Sequence, residues 1–136
     1  HFKLIAGEAF GKKSAVPVYS KLFLLEIKST HSQTLNIGQH LFGESGMYIL
    51  EGEVESDGHV FGAKQLLVAK DAQLCAFEIK ENTTIYIFGG EPFPEEHFIY
   101  WNFVSSDKAR IEKAKQDWQE QKFSPVPGET EFIPLP

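Results

Sequence analysis

Short apolar runs separated by turn residues set the pattern of the first hundred residues. Stretches rich in Val, Ile, Leu, Phe and Tyr recur roughly every eight to twelve residues, as in an all-β domain. The spacing predicts strands over Phe2–Ala6, Lys21–Lys28, Gln33–Ile37, Gly46–Leu50, Glu53–Glu55, His59–Phe61, Gln65–Ala69, Leu74–Ile79 and Thr83–Phe88. Strand alternation puts Lys21, Phe23, Leu25 and Ile27 on one face and Leu22, Leu24, Glu26 and Lys28 on the other. Asp57-Gly58 between two runs suits a type I′ hairpin, whose two central residues need positive φ.

The period then changes. Within 107–123, Ile111, Ala114, Trp118 and Phe123 stand near helical spacing, with Lys, Glu and Gln between them. Ser105 or Ser106 offers an N-cap, and Asp107 suits the positive end of the helix dipole. Lys108 with Glu112, and Lys113 with Asp117, are spaced as i,i+4 pairs. Pro125, Pro127 and Gly128 stop the helix, and an extended tail follows with apolar Phe132, Ile133 and Leu135. The expected organisation is a single domain: a jelly roll over 1–104, a helix over 105–123, and a tail over 124–136 that packs on a partner or on the same barrel. Many short strands with one late helix favour a jelly-roll barrel or sandwich. An immunoglobulin-like sandwich lacks its Cys…Trp…Cys spacing here.

Composition narrows the function. The 13 basic and 19 acidic residues give a net charge of −6, against direct binding of nucleic acid through phosphates. Cys75 is the one cysteine, so no intrachain disulfide and no cysteine-cluster zinc site can form. Apolar runs stop after Leu22–Leu25 and Met47–Leu50, far short of a membrane span. The chain opens on His1 with no signal-peptide pattern, so a fragment or processed product in the cytoplasm is expected.

Catalytic motifs are sparse. His1, His31, His40, His59 and His97 form no HxH, HxxH or HExxH pattern, and His40 draws notice because it precedes an apolar strand. Gly43-Glu44-Ser45-Gly46 lacks the final glycine of a nucleophile elbow, since Met47 stands there. Cys75, in an apolar run without a basic neighbour, reads as a buried structural thiol. Gly89-Gly90 reads as a turn or bulge, and the Asn82-Thr83-Thr84 sequon as incidental.

A set of segments nevertheless resembles the second half of the pirin family. These are Ile5-Ala6-Gly7, Gly11-Lys12-Lys13-Ser14, Tyr48-Ile49-Leu50-Glu51-Gly52-Glu53, Gly89-Gly90-Glu91-Pro92, Trp101-Asn102-Phe103-Val104-Ser105-Ser106 and Phe132-Ile133-Pro134-Leu135-Pro136. Their order runs across nearly the whole chain. The resemblance implies a cupin-type jelly roll matching only the C-terminal of two cupin domains. The family's iron, quercetinase-type dioxygenation and transcriptional co-regulation are tied to the N-terminal one. Aligned on the cupin metal motifs with Gly52 as the closing glycine, Gly38 and Ser45 occupy ligand positions, His40 matches one histidine, and Leu74 or Cys75 replaces another. A single imidazole does not hold iron or zinc usefully.

The expectation is therefore a domain without cofactor or metal and without catalytic residues, with a binding or structural role. A metal-dependent quercetinase-type enzyme, using His40 with His31, His59 or His97, is the alternative. His40, Met47, Ile49, Leu74, Cys75 and Phe77 are expected to line a pocket for a small apolar ligand. Ile111, Trp118, Phe123, Phe132, Ile133 and Leu135 are expected at an interface with an N-terminal cupin domain or a second copy, the latter as a homodimer that exchanges tails.

Overall fold

Alternating burial along the strands carries the predicted β pattern into a computed structural model, which describes residues 1–69 and 76–136. The chain divides into two compact units, His1–Pro92 and Phe93–Pro136. Among the described residues of the first unit, ten strands run in chain order: β1 (Phe2–Ala9), β2 (Lys12–Lys13), β3 (Leu22–Ser29), β4 (Gln33–Asn36), β5 (Glu44–Glu51), β6 (Glu53–Ser56), β7 (His59–Gly62), β8 (Leu66–Ala69), β9 (Ala76–Ile79) and β10 (Thr83–Gly90). A single 3-10 turn, Gly38–His40, lies between β4 and β5.

The strands form a six-stranded sheet, ordered β2-β1-β3-β10-β5-β8, and a four-stranded sheet, ordered β4-β9-β6-β7. Phe23, Leu25, Ile27, Met47, Ile49, Ile85 and Ile87 from the first sheet join Leu35, Val54, Phe77 and Ile79 from the second in one core. Two antiparallel sheets closed over a shared core make this a jelly roll. The expected inward face of β3 is the buried one, and Leu22, Leu24, Glu26 and Lys28 face outward. The β6–β7 hairpin turns through Asp57 and Gly58 at φ 51 and 74, the pair of positive values a type I′ turn requires.

The glycine pair Gly89-Gly90 is a correction to the sequence reading. Both residues lie inside β10, pairing with Phe23 and Leu22 on one side and with Ser45 and Glu44 on the other. A Cβ on Gly89 would fall 2.0 Å from the Glu44 carbonyl oxygen and 2.8 Å from the Phe23 ring. Glycine is needed there because the neighbours press in, rather than because the chain turns. Gly52 has a different reason. It sits at φ +78, and a Cβ would meet Thr83 Oγ1 at 2.1 Å. That hydroxyl accepts from the Glu53 amide at 3.0 Å and ties β6 to the start of β10.

The second unit pairs β11 (Phe98–Tyr100) with β12 (Phe103–Ser105) beside α1 (Lys108–Gln119). Neither strand is legible as one, because each is three residues long. The expected division at residue 104 falls inside this unit, since the hairpin clusters with the helix. The cap also differs: Asp107 is the N-cap, its carboxylate accepting from the Ala109 amide at 2.8 Å. Ser105 supports it by accepting from the Asp107 amide at 3.1 Å. The helix stops at Gln119, before Phe123, and Gln121 takes a left-handed φ of 54. Lys113 pairs with Asp117 as its spacing predicts, whereas Lys108 lies 4.3 Å from the Phe98 ring centre instead of meeting Glu112.

Candidate functional site: the barrel interior

Strand β5 supplies the inward-facing row Ser45, Met47 and Ile49, all buried. Its neighbours fix their height in the barrel, because Ser45 pairs with Ala69 of β8 and with Gly89 of β10, and Met47 with Leu67 and Ile87. Beside this row lies a pocket of about 330 Å³. Its described walls are Met47, Val54, Phe61, Leu67, Val68, Ala69, Ala76 and Phe77, with Ser56 and Asp57 as the polar members. An apolar chamber with few polar groups takes a small apolar body and orients it through one polar contact.

The structure brings two of the expected pocket residues together there, Met47 and Phe77. Ile49 is fully buried in the core and does not line the pocket. His40 ends the 3-10 turn, exposed, with its ring 4.6 Å from that of Phe10, and is absent from the pocket wall. Leu74 and Cys75 lie outside the described residues. Sequence reasoning missed Val54, Phe61, Ser56 and Asp57. The signal was present: a two-residue turn at Asp57-Gly58 forces Ser56 opposite His59 and Val54 opposite Phe61, so an inward Val54 brings Phe61 with it.

A metal held in the barrel interior would need several converging donor side chains. At the aligned ligand positions stand Gly38, His40 and Ser45, and the fourth, Leu74 or Cys75, lies outside the described residues. His40 is on the outside, and Ser45 offers a neutral hydroxyl, buried and without a hydrogen-bond partner among the described residues. No group of three His, Cys, Asp or Glu side chains converges among the described residues. Among the described residues this donor set does not fit an iron or zinc centre.

Groups with displaced titration belong to surface pairs. Tyr86 donates to Glu26 at 2.9 Å across the β10–β3 pairing. That bond holds the Glu26 carboxyl below the usual carboxylate range and pushes the Tyr86 hydroxyl up. Hydrogen bonds to Glu55 and Glu78 likewise raise Lys80 above its ordinary value.

The residues expected at an interface lie in the second unit. Ile111 is buried within it. Trp118 packs with Trp101, Phe123 and Phe132 at centroid separations of 5.0, 5.8 and 5.8 Å. Its indole N–H donates to the Ile133 carbonyl at 2.8 Å, and Tyr100 donates its hydroxyl to the Pro136 carbonyl at 2.9 Å. The tail is thus seated on its own helix and hairpin. Phe123, Phe132 and Ile133 remain exposed, and Leu135 is half-buried. A shallow groove of about 470 Å³ runs between β12, α1 and Phe123.

Comparison with known proteins agrees with this architecture. Residues 24–124 match the family described as the Pirin C-terminal cupin domain. The chain is 43% identical over 135 residues to a pirin-like protein of Caulobacter vibrioides, an alignment covering 98% of this chain and 46% of that protein. Two solved structures, each of a quercetin 2,3-dioxygenase from Acinetobacter baumannii, share the fold. One superposes with a TM-score of 0.82 at 24% identity, over 99% of this chain and 46% of its own. The other gives 0.69 at 25% identity, over 91% and 44%. The chain spans under half the length of these relatives.

Proposed function

This chain belongs to the pirin family as its C-terminal cupin domain, and from that premise we propose a metal-free, non-catalytic barrel that binds a small apolar molecule. One observation carries the reading. Where a metal-bearing cupin sets its ligands, this barrel has Ser45 followed on the same face by Met47, and Met47 opens onto an apolar pocket. Exclusion of water by Met47, Val54, Phe61, Leu67 and Phe77 supplies the affinity, and Ser56 or Asp57 the orientation. The reading includes a cytoplasmic location. It also includes a docking partner for exposed Phe123, Phe132 and Ile133, either an N-terminal cupin domain or a second copy of this chain.

Met47 is the only methionine, so its ε-methyl group gives a single NMR resonance inside the pocket. Titration with indole is expected to shift that resonance saturably, and Val54→Trp to abolish the shift while amide dispersion stays native. A resonance unmoved by indole and by a panel of similar apolar probes would sink the ligand reading. The competing reading, quercetinase-type dioxygenation, rests on what the structural relatives are named. Elemental analysis of freshly purified protein separates the two, since close to one iron, zinc or manganese per chain would overturn the metal-free reading.

A further inference from the structure

The barrel pocket has two ends of different chemistry. Along β6 its wall begins at Val54, which has no exposed surface, passes to half-buried Ser56 and ends at exposed Asp57 in the hairpin turn. Ser56 shares the inward face of Val54, because side chains two apart on a strand point the same way. Val54 pairs with Phe61, and Ser56 with His59, so the wall becomes more apolar away from the turn. Met47, Leu67 and Phe77 continue it. A molecule in this pocket therefore buries its apolar body toward Val54 and leaves its polar end beside Ser56 and Asp57.

The charge at that end is one-sided. Asp57 is the one charged residue of the described wall, which contains no Lys, Arg or His. Lys80, which follows β9 in the same sheet, is already taken by Glu55 at 2.8 Å and Glu78 at 3.0 Å. His59 sets its Nδ1 3.0 Å from the Asp57 backbone carbonyl, away from the carboxylate. Among the described residues the Asp57 carboxylate thus has no cationic partner. A ligand ending in a carboxylate or phosphate would meet a like charge there. A neutral hydroxyl would gain a hydrogen bond. A protonated amine would gain hydrogen bonds to Ser56 and Asp57 together with the attraction of opposite charges, and the chain's net charge of −6 draws it in at longer range.

We propose that the barrel pocket selects small apolar amines, seating the apolar body against Val54, Phe61 and Phe77 and the ammonium group on the Asp57 carboxylate. The inference rests on the barrel's binding of a small apolar molecule and adds the charge of that molecule's polar end. Asparagine and glycine serve this turn position as well as aspartate does, so replacing the carboxylate separates its charge from the fold.

The test compares phenethylamine, phenethyl alcohol and hydrocinnamate, which share one body and differ in the head. Each is titrated at neutral pH into the 136-residue chain, with the Met47 ε-methyl resonance as the readout. Phenethylamine is expected to bind about fivefold more tightly than the alcohol, the gain of an ion pair at the edge of water. Hydrocinnamate should bind more weakly than either, and added salt should shrink the amine's advantage. Asp57→Asn should erase the advantage of the amine over the alcohol, measured within the same variant, and Asp57→Gly should do the same. Three results would overturn the proposal: equal binding of amine and alcohol to the native chain, hydrocinnamate binding as tightly as the amine, or an amine advantage that persists in both Asp57 variants. Each of these leaves the apolar reading of the barrel standing, because the alcohol and indole still move the Met47 signal. If neither indole nor any of the three probes moves it, the barrel reading falls and this inference with it.

Discussion

The two units of this chain are held by different means. The barrel buries branched aliphatic side chains completely: Ile49, Ile79, Ile85 and Ile87 have no exposed surface. Its 92 residues let two sheets enclose an apolar core. The second unit has 44 residues, and Ile111 is its one buried hydrophobic residue. So short a segment cannot bury a core of that kind. It relies instead on ring contacts, with Trp118 at the centre of three aromatic neighbours and the tail's carbonyls taken up by Trp118 and Tyr100. Interdigitated aliphatics tolerate no change of volume, whereas an open aromatic stack loses stability in steps.

Ile85→Ala should have the largest effect, removing about 3–4 kcal/mol from the barrel. A urea transition followed by far-UV circular dichroism should move to lower denaturant as one cooperative step, and a graded loss would erase the distinction between the units. Trp118→Ala should cost the second unit about 2–3 kcal/mol. Hydrogen exchange would quicken in α1 while the amides of β3 and β10 keep their protection. Deleting 124–136 should act in the same place with about 1–2 kcal/mol, through loss of the Phe132 stack and two hydrogen bonds. Equal loosening of the barrel in either variant would show the units to be one cooperative body.

Ser45→Ala sharpens the other side. Among the described residues the buried Ser45 hydroxyl has no partner, a cost to the fold, so its removal should be neutral or stabilising by about 1 kcal/mol in thermal melts. A loss above that size would show that the hydroxyl is satisfied.

The smallest effect concerns pH. The bond from Tyr86 depresses the folded-state titration of Glu26 below its ordinary 4.5. Its contribution is therefore present above that value and lost as pH falls through the lower, folded value. Tyr86→Phe should flatten the acid limb of the stability profile and leave neutral pH nearly unchanged. Lys80 behaves in the opposite sense: its raised value keeps its contribution present below about 10.5 and loses it as pH rises further.

Much of the barrel was legible because period-two burial fixes which face of a strand enters the core. Phe23, Leu25 and Ile27 follow from that rule alone. Met47 and Phe77, which border the candidate pocket, sit on such strands. The interest of His40 in the sequence came from a motif, and the chain there makes a 3-10 turn that carries its ring onto Phe10. Gly89 misled because its lack of a side chain answers to residues 44 and 23, which only the folded pairing brings near. The β11–β12 hairpin stayed hidden because three residues carry no period.

The six-stranded sheet ends unequally. At one side β2 is two lysines long, too short and too charged to template another chain. At the other, β8 presents exposed Leu66 and Val68. Self-association at high concentration therefore has a polarity. On this sheet, among the described residues, edge pairing would start from the β8 side and stop at β2. A gatekeeper charge such as Val68→Lys would raise the solubility limit, and the same charge added beside β2 would change little.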